Sequence, residues 1–558
     1  MHTVAITIDD RKLLVDSNQT IIEACATNGI SIPHFCWHPK LSVSGNCRMC
    51  LVEVEKIPKL AIACMTNVAE GMVVKTKNER VLNAREAVME FILINHPLDC
   101  PICDEAGECK LQDYAYSHSS GFSRFVEDKV HKPKRVKLGP HVMFDAERCI
   151  LCSRCIRFCD EVAGKHQLQF VDRGDKTTIV TFPGEELDNP YSLNVVDICP
   201  VGALTNNEFR FKSRVWEMSF TDSVCTACSR GCNIEVGVRN NEVLRLTPRL
   251  NENVNSFWMC DNGRLNSFKN VNSISRIDFP LIKNNNQQTQ LSWDEAIKNV
   301  VDNLKLFKKN EVAILISSEA TNEENYLMHK FAKSVFPENI FAFKHIDSND
   351  QDEVLIRGDK TPNKLGVELL GIEFDDFENL IEKINSNQIK AVYSLDDSFQ
   401  NSDEVYNTFS KLNFFAIHSN TISKFTEIAN VTLSSSTMFE KNGTIINFKG
   451  YLQKLTPSIA TKEMNRTLDG FQLSRLDKFA AWNDKWGSGP QKNSRPSWKI
   501  VMDIANNFGM KLKFQSSEDV FNEMAQKFPH LNGISYLKIG KIGLQIDLEK
   551  TNSKVEAI

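Results

Sequence analysis

No run in the 558-residue chain approaches the roughly 20 apolar residues a membrane helix needs, so membrane association is expected only through partners. The N-terminal stretch Met1 to Val15 lacks an apolar signal core and reads at once as a strand. The expectation is a protein kept on the reducing, cytoplasmic side of a membrane. A formal net charge of −5 gives no argument for nucleic acid or an anionic lipid surface. Neither G-x-G-x-x-G nor G-x-x-x-x-G-K-S/T occurs, so nothing marks a nucleotide site. The last 298 residues contain no cysteine at all. All 17 cysteines lie between Cys25 and Cys260. In a large chain without a secretion signal, such clustering points to metal or chemistry rather than to disulfides.

The densest stretch is DAERCILCSRCIRFC, from Asp145 to Cys159. Cys149, Cys152 and Cys155 are two residues apart, so one short loop turns three thiolates onto one cubic [4Fe-4S] cluster. In the bacterial ferredoxin pattern the fourth ligand is a remote Cys-Pro, here Cys199-Pro200. Cys159 is then spare and reads as a buried thiol, and the choice between Cys159 and Cys199 stays open. This module spans residues 141–215.

Residues 1–78 read as a strand-rich domain in which Val4, Ile6 and Ile8 alternate ahead of a second strand, Leu13 to Val15. Thr20 and Glu23 form a capping box for a helix from Ile21 to Asn28, stopped by Gly29. Cys25 falls inside that helix and reads as a core thiol. Cys36, Cys47, Cys50 and Cys64 follow with spacing C-x10-C-x2-C-x13-C. The layout resembles plant-type [2Fe-2S] ferredoxins, which implies a β-grasp fold. A zinc site is the alternative, although zinc usually brings two close pairs.

Residues 79–118 open with a helix whose Val81, Ala84, Val88, Phe91 and Ile92 share one face. Then comes HPLDCPICDEAGEC, in which Cys100, Cys103 and Cys109 leave a cube one ligand short. His96 sits where the helix ends, and is expected to complete the site. The stretch resembles the His/Cys3 cluster segment of respiratory complex I and of [FeFe] hydrogenases. A neutral imidazole in place of thiolate shifts a cluster's potential upward, other things equal. Residues 119–140 contain KPKRVKLGP, read as a solvated linker.

Residues 218–274 hold Cys225, Cys228, Cys232 and Cys260, spaced C-x2-C-x3-C-x27-C and followed by CDNGRL. A zinc ribbon is one reading. The spacing and tail also resemble the [4Fe-4S] domain at the front of molybdopterin-dependent oxidoreductases. Fifteen cysteines and His96 then supply the 16 ligands of four clusters, with Cys25 and Cys159 left over.

Residues 275–558 alternate strand-like runs (Val312 to Ile316, Ala391 to Leu395) with helical ones (Thr321 to Val335, Asp376 to Ile384). That pattern predicts α/β layers with a parallel sheet. Loops near Asn285 to Gln290 and Trp486 to Ser497 read as polar and exposed. SWDEA, ATNEENY and FEKNGTIINFKGYLQK resemble the molybdopterin-enzyme catalytic domain. The region is short for it and has no cysteine for molybdenum, so a degenerate domain without molybdopterin is expected. The chain is thus read as multidomain, α+β in front and α/β behind.

The order [2Fe-2S], His/Cys3 [4Fe-4S], ferredoxin-like [4Fe-4S] and molybdopterin-type [4Fe-4S] closely resembles the large iron–sulfur subunit family of NADH:quinone oxidoreductase, respiratory complex I, bacterial type. The resemblance implies an electron wire in the peripheral arm, on the cytoplasmic face of the cell membrane. Electrons would arrive from a partner subunit carrying FMN and binding NADH. They would leave towards quinone, coupled to ion translocation by the membrane arm. The other implied partners are a small [2Fe-2S] subunit, a ferredoxin-like subunit with two [4Fe-4S] clusters, and the quinone-site subunits. No acid–base catalyst is nominated. The alternatives are the iron–sulfur subunit of a soluble NAD-linked hydrogenase or of a formate dehydrogenase. An [FeFe] hydrogenase, which shares the front half of the layout, needs further cysteines after the ferredoxin module. A molybdenum formate dehydrogenase needs a longer chain with a metal-ligating cysteine or selenocysteine behind. A zinc-rich assembly protein is a third, non-enzymatic reading.

Overall fold

The computed structural model describes residues 2–284, 287–338, 340–344, 347–370, 377–399, 403–464 and 489–548. The chain divides into two compact units, Met1–Glu217 and Met218–Ile558.

In the first unit, β1 (Thr3–Ile8) pairs antiparallel with β2 (Arg11–Asp16) across a turn in which Asp9 and Asp10 take positive φ. Alternation places Val4, Ile6 and Ile8 on the buried face. The sheet grows to the order β2-β1-β5-β3-β4 with β3 (Leu51–Val54), β4 (Ala61–Ile62) and β5 (Val73–Lys75), β1 and β5 being parallel. Helix α1 (Ile21–Thr27) begins at the Thr20–Glu23 capping box and buries Ile21, Ile22 and Cys25 in the same core as the sheet. Burying each such isoleucine contributes about 1.5–3 kcal/mol. Gly29, at φ +72°, closes the helix, because the left-handed conformation there costs a side-chain-bearing residue more. Burial pushes the Cys25 thiol up to about 12, in keeping with a core residue.

Helix α2 (Glu79–Leu93) is rotated relative to the apolar face expected from the sequence. Val81, Arg85 and Met89 are buried, whereas Phe91 is 77% exposed. The reason is Arg85, whose Nη2 donates 3.0 Å to the Leu51 carbonyl of β3 and so turns its own face inward. Helix α3 (Lys110–His118) follows. The basic segment read as a solvated linker is anchored instead. Lys134 pairs with Asp99 and Glu147 at 2.7 Å each, and Lys132 donates to the Thr177 carbonyl. Part of it is β6 (Val136–Lys137), in a sheet ordered β10-β7-β6 with β7 (Val142–Phe144) and β10 (Leu204–Asn206). Between those strands lie α4 (Arg154–Glu161), the hairpin β8 (Leu168–Val171) with β9 (Thr178–Thr181), and α5 (Asn194–Asp197).

The second unit opens with an antiparallel sheet, β11 (Ser219–Val224), β12 (Asn233–Arg239) and β13 (Glu242–Pro248), then α6 (Asp261–Asn266). Behind it lies a seven-stranded sheet ordered β15-β14-β20-β19-β18-β16-β17. Its strands are β14 (Leu281–Asn284), β15 (Gln287–Gln290), β16 (Val312–Ser317), β17 (Ile340–Lys344), β18 (Ala391–Ser394), β19 (Phe414–Ser419) and β20 (Val431–Ser434). The segment Gln287–Gln290, read as loop, is thus a strand paired antiparallel to β14; Asn285 lies outside the described residues. The five strands β16 to β20 are mutually parallel.

Strand β16 reads VAILIS and is buried throughout, as a strand covered on both faces must be. Val312, Ile314 and Ile316 enter one core, and Ala313 and Leu315 the other. Helices α7 (Trp293–Leu304) and α8 (Asn322–Val335) start at the capping boxes Ser292–Glu295 and Thr321–Glu324. The helices α9 (Lys364–Glu368), α10 (Phe377–Asn385), α11 (Asp403–Phe409) and α12 (Lys424–Ile428) complete the crossovers. A small sheet of β21 (Gly443–Ile446), β22 (Tyr451–Leu455) and β23 (Leu544–Gln545) and the helices α13 (Ser497–Asn507), α14 (Ser517–Lys527) and α15 (Tyr536–Ile539) follow. Of the segment read as an exposed loop, Ser494, Pro496 and Ser497 are buried, because the Arg495 backbone pairs with Ser434 and Ser436 beside β20; Trp486 lies outside the described residues. Among the described residues no helix is long and apolar enough to cross a membrane.

His418 in β19 is fully buried between the Tyr393 hydroxyl (2.8 Å) and Ser497 Oγ (2.9 Å). Burial holds its imidazole down to about 3, against about 6.5 in an unfolded chain. Below pH 6.5 the unfolded state binds a proton that the folded state refuses, so stability falls as pH falls towards 3. His418→Gln removes this pH dependence. Relative to wild type the variant gains about 2 kcal/mol between pH 6.5 and 5, read from urea midpoints at the two pH values. An unchanged difference would refute a buried neutral imidazole.

Candidate iron–sulfur sites

All 17 cysteines are free thiols. Fifteen of them fall into the four groups expected from the sequence, although among the described residues no three His, Cys, Asp or Glu side chains stand close enough together to hold a metal ion as they are. In the first group, the long loop between α1 and β3 carries Cys36, Cys47 and Cys50, and Cys64 follows β4. Cys50 Sγ lies 3.5 Å from Cys64 Sγ. Thiol hydrogen bonds from Cys47 and Cys64 pull Cys36 well below the ordinary thiol range, helped by the backbone N–H groups of Cys47 and Asn46. The donors Cys47 and Cys64 are correspondingly pushed up, chiefly by those bonds. Gly45 (φ +62°) keeps the loop closed, since a Cβ there would stand 2.3 Å from Met65 Sδ. Four thiols pressed together without a disulfide, with backbone N–H groups aimed at sulfur, suit a cluster that takes thiolate ligands and N–H···S bonds.

In the second group, α2 ends just before His96, and the short turn Cys100–Ile102 and the start of α3 present Cys100, Cys103 and Cys109. All four side chains line one cavity of about 610 Å³. Burial, then the nearby Arg148 charge, lowers the His96 imidazole to about 4, leaving it neutral and able to ligate. Burial raises Cys103, and raises Cys109 to about 11. Gly202 closes the wall, and a Cβ on it would come within 2.3 Å of Cys103 Sγ. The buried Arg148 pairs with Asp99 and Asp145 at the same place.

The third group is the loop ahead of α4 together with the turn after α5. Leu151 (φ +55°) and Ser153 (φ +61°) give the loop the reversals that put Cys149, Cys152 and Cys155 on one side. These three and Cys199 line a common small cavity with Phe144 and Ile179. Burial pushes Cys149 up to about 12 and drives Cys155 and Cys199 well above the ordinary thiol value. Protonated thiols give up their protons when metal binds, so loading is coupled to proton release. Cys159, one turn along α4 from Cys155, is fully buried and does not line that cavity.

The fourth group belongs to the second unit. The Cys225 N–H donates 2.8 Å to the Cys232 carbonyl, closing the loop that carries Cys228 between β11 and β12. Cys260 caps α6, its sulfur accepting from the Gly263 N–H at 3.3 Å. A Cβ on Gly263 would lie 3.0 Å from Cys225 Sγ and 3.3 Å from Cys260 Sγ, so the glycine lets both sulfurs share one space. Burial raises all of Cys225, Cys232 and Cys260.

Reading the cysteines alone misses the groups that hold them. Arg154 and Arg157 in α4 reach the carbonyls of Trp37 and Cys36, both at 2.5 Å, and so join the first group to the third. Gly202 joins the third to the second, since the Lys110 N–H donates to the Pro200 carbonyl (3.1 Å). The only signal in the sequence is the basic pair inside SRCIRFC, which two-residue spacing alone does not direct anywhere.

Family models match along the whole series. They are a 2Fe-2S iron-sulfur cluster binding domain (residues 1–79), the NADH-ubiquinone oxidoreductase-G iron-sulfur binding region (85–124) and the NADH-quinone oxidoreductase subunit 3 ferredoxin-like domain (139–205). The NDSU1/NuoG-like 4Fe-4S domain of NADH-ubiquinone oxidoreductase matches 218–267, and molybdopterin oxidoreductase matches 276–361 and 368–468. The G subunit of NADH-quinone oxidoreductase from Rickettsia felis is 40% identical over 61% of this chain and 51% of its own. The 75 kDa subunit of NADH-ubiquinone oxidoreductase from Reclinomonas americana is 41% identical over 59% of this chain and 47% of its own. The mitochondrial 78 kDa subunit from Neurospora crassa is 42% identical over 53% and 40%. The chain thus spans about half the length of the curated relatives it matches. Among solved structures, an NAD+-reducing [NiFe]-hydrogenase in the H2-reduced state aligns with 38% of this chain and 91% of its own, at 29% identity and a TM-score of 0.35. Over its matched residues the chain is thus similar to the 75 kDa-type iron–sulfur subunit, the G subunit of bacterial NADH-quinone oxidoreductase.

Proposed function

We propose that this chain relays electrons in the peripheral arm of NADH:quinone oxidoreductase, from an FMN-bearing partner that oxidises NADH towards quinone. The observation that carries the reading is the presence of four candidate ligand groups in one chain, one of them three cysteines that line a cavity with the neutral His96. Cys36, Cys47, Cys50 and Cys64 would hold a [2Fe-2S] cluster. His96 with Cys100, Cys103 and Cys109, Cys149 with Cys152, Cys155 and Cys199, and Cys225 with Cys228, Cys232 and Cys260 would each hold a [4Fe-4S] cluster. Bound there, such clusters supply one-electron carriers.

The chain's own contribution is to bury the ligands, exclude water and aim N–H groups at sulfur, which are the levers that set potentials. No side chain is assigned a proton-transfer role. The neighbouring small [2Fe-2S] subunit, the ferredoxin-like subunit with two [4Fe-4S] clusters and the quinone-site subunits would be its partners, with the membrane arm translocating ions. Attachment would be peripheral, on the cytoplasmic face of the membrane.

The second unit would brace the arm without molybdopterin. In open α/β sheets, ligands sit beyond the carboxyl ends of the strands. A cavity of about 280 Å³ lies there, walled by Glu319, Asp396 and Asp397. Its single lysine, Lys441, is held by Glu324 at 2.6 Å, which leaves no free cation among the described wall residues for a phosphate-bearing pterin.

Iron and acid-labile sulfide on the anaerobically purified full chain, with EPR of the reduced sample, test the reading. The expected result is about 14 iron atoms and one [2Fe-2S] signal beside several [4Fe-4S] signals. A colourless protein with about four zinc ions would overturn it.

A further inference from the structure

Arg154 is the first residue of α4 and lies between two proposed ligands of the third group, Cys152 and Cys155. Its side chain is buried, at 9% exposure, and among the described residues no carboxylate pairs with it. Its Nη2 donates 2.5 Å to the carbonyl of Trp37, the residue after Cys36. Its Nη1 donates 3.0 Å to the carbonyl of Ile198, the residue before Cys199. The Nε atom finds no partner. The groups whose ionisation would act on this guanidinium are sulfurs of both groups, Cys152 and Cys199 on one side and Cys36 and Cys47 on the other.

A guanidinium stays charged at any ordinary pH, and a buried charge without a counter-ion is not retained cheaply. Every other polar contact of Arg154 is to a neutral carbonyl. The missing anion must therefore come from what the sulfurs hold, and both sulfur groups flank the same cation. The fold also makes one continuous bridge out of it, running Cys36–Trp37 carbonyl, Arg154, Ile198 carbonyl–Cys199. Neighbouring contacts brace the same seam, with Arg157 donating to the Cys36 carbonyl and Asn46 Nδ2 to the Leu151 carbonyl at 2.9 Å.

We propose that Arg154 is a positioning residue shared by the first and third sites: the common counter-charge of both clusters, which sets their reduction potentials together. The inference rests on the assignment of those eight cysteines as cluster ligands. One-electron reduction makes each cluster more negative by one charge. A fixed cation beside it stabilises the reduced form, and its removal lowers the midpoint potential. Because one guanidinium serves both sites, both potentials must fall in the same variant. The His96 and Cys260 groups, which Arg154 does not touch, serve as internal references.

The experiment is an EPR-monitored redox titration of the full chain, wild type against Arg154→Gln and Arg154→Lys, with iron and sulfide counted in each. In Arg154→Gln the oxidised-to-reduced ratio at a given potential rises at least tenfold for both the [2Fe-2S] and the ferredoxin-like [4Fe-4S] signals. That is a fall of about 59 mV each for a one-electron couple. Arg154→Lys keeps the charge and restores most of the shift, while the reference signals stay in place. Unmoved potentials in a fully loaded Arg154→Gln chain, a shift at one site only, or an equal shift in Arg154→Lys would overturn the proposal. Should Arg154→Gln assemble neither cluster, Arg154→Lys decides. Loaded sites at near wild-type potentials support the shared charge, and loss of both clusters there assigns the residue to holding loops and overturns it. A wild-type chain without iron at these sites would overturn the ligand assignment and this inference with it. A loaded wild type with unmoved variants overturns the inference alone.

Discussion

Replacing Cys199 by serine is expected to remove about four of about 14 iron atoms and to abolish one [4Fe-4S] EPR signal, whereas Cys159→Ser leaves both in place. The two thiols compete on paper, because each offers a fourth ligand to Cys149, Cys152 and Cys155. Geometry separates them. Cys199 lies on the wall of the cavity that the other three share, while Cys159 does not line it and is sealed in the core at 0% exposure. Burial, helped by the Asp160 charge, holds the Cys159 thiol up at about 12, as a protonated core residue. Iron analysis and EPR on the two variants give the answer directly. Loss of iron in Cys159→Ser with retention in Cys199→Ser would transfer the ligand role to α4.

The second large effect is one of stability in the other unit. Arg276 and Glu440 form an ion pair with both side chains at 1% exposure, Nη2 contacting the two carboxylate oxygens at 2.8 and 2.7 Å. Arg276 Nη1 also donates to the Asn420 carbonyl, and Glu440 accepts from the Thr437 N–H (2.8 Å) and hydroxyl (3.0 Å). Arg276→Met leaves a dehydrated carboxylate with only those two donors. It is expected to destabilise this unit by about 3–5 kcal/mol, read as a lowered urea midpoint. The double variant Arg276→Met with Glu440→Leu removes both charges and is expected to recover most of the loss, since the pair's own net contribution is small once desolvation is counted. A double variant as unstable as the single one would show that the geometry, rather than the stranded charge, is what matters.

The elements recovered from the sequence are those whose signal is local. Alternation in Val4 to Ile8 and the Thr20–Glu23 box gave β1 and the start of α1. The runs Val312–Ile316 and Ala391–Leu395 gave two buried parallel strands. Where the reading went astray, a non-local contact had overridden the pattern. Arg85 reaching the Leu51 carbonyl turned α2 so that Phe91 faces outward. Lys134 found Asp99 and Glu147, so a stretch that looked like a solvated linker is tied down. Asn493 to Ser497 looked polar, yet docks beside β20 because its backbone and hydroxyls find partners there.

The sequence by itself determined which residue types are available as ligands and in what grouping. Thiolates two or three residues apart can reach one centre whatever the rest of the chain does, because the loop between them is short. The remote members Cys64, Cys199 and Cys260 were expected from spacing and resemblance, and only the tertiary structure decided what lies between the groups. Arg154 reaches Trp37 across 117 residues. Such partners are set by packing, since neither a carbonyl acceptor nor a buried counter-charge leaves a mark in the spacing of cysteines.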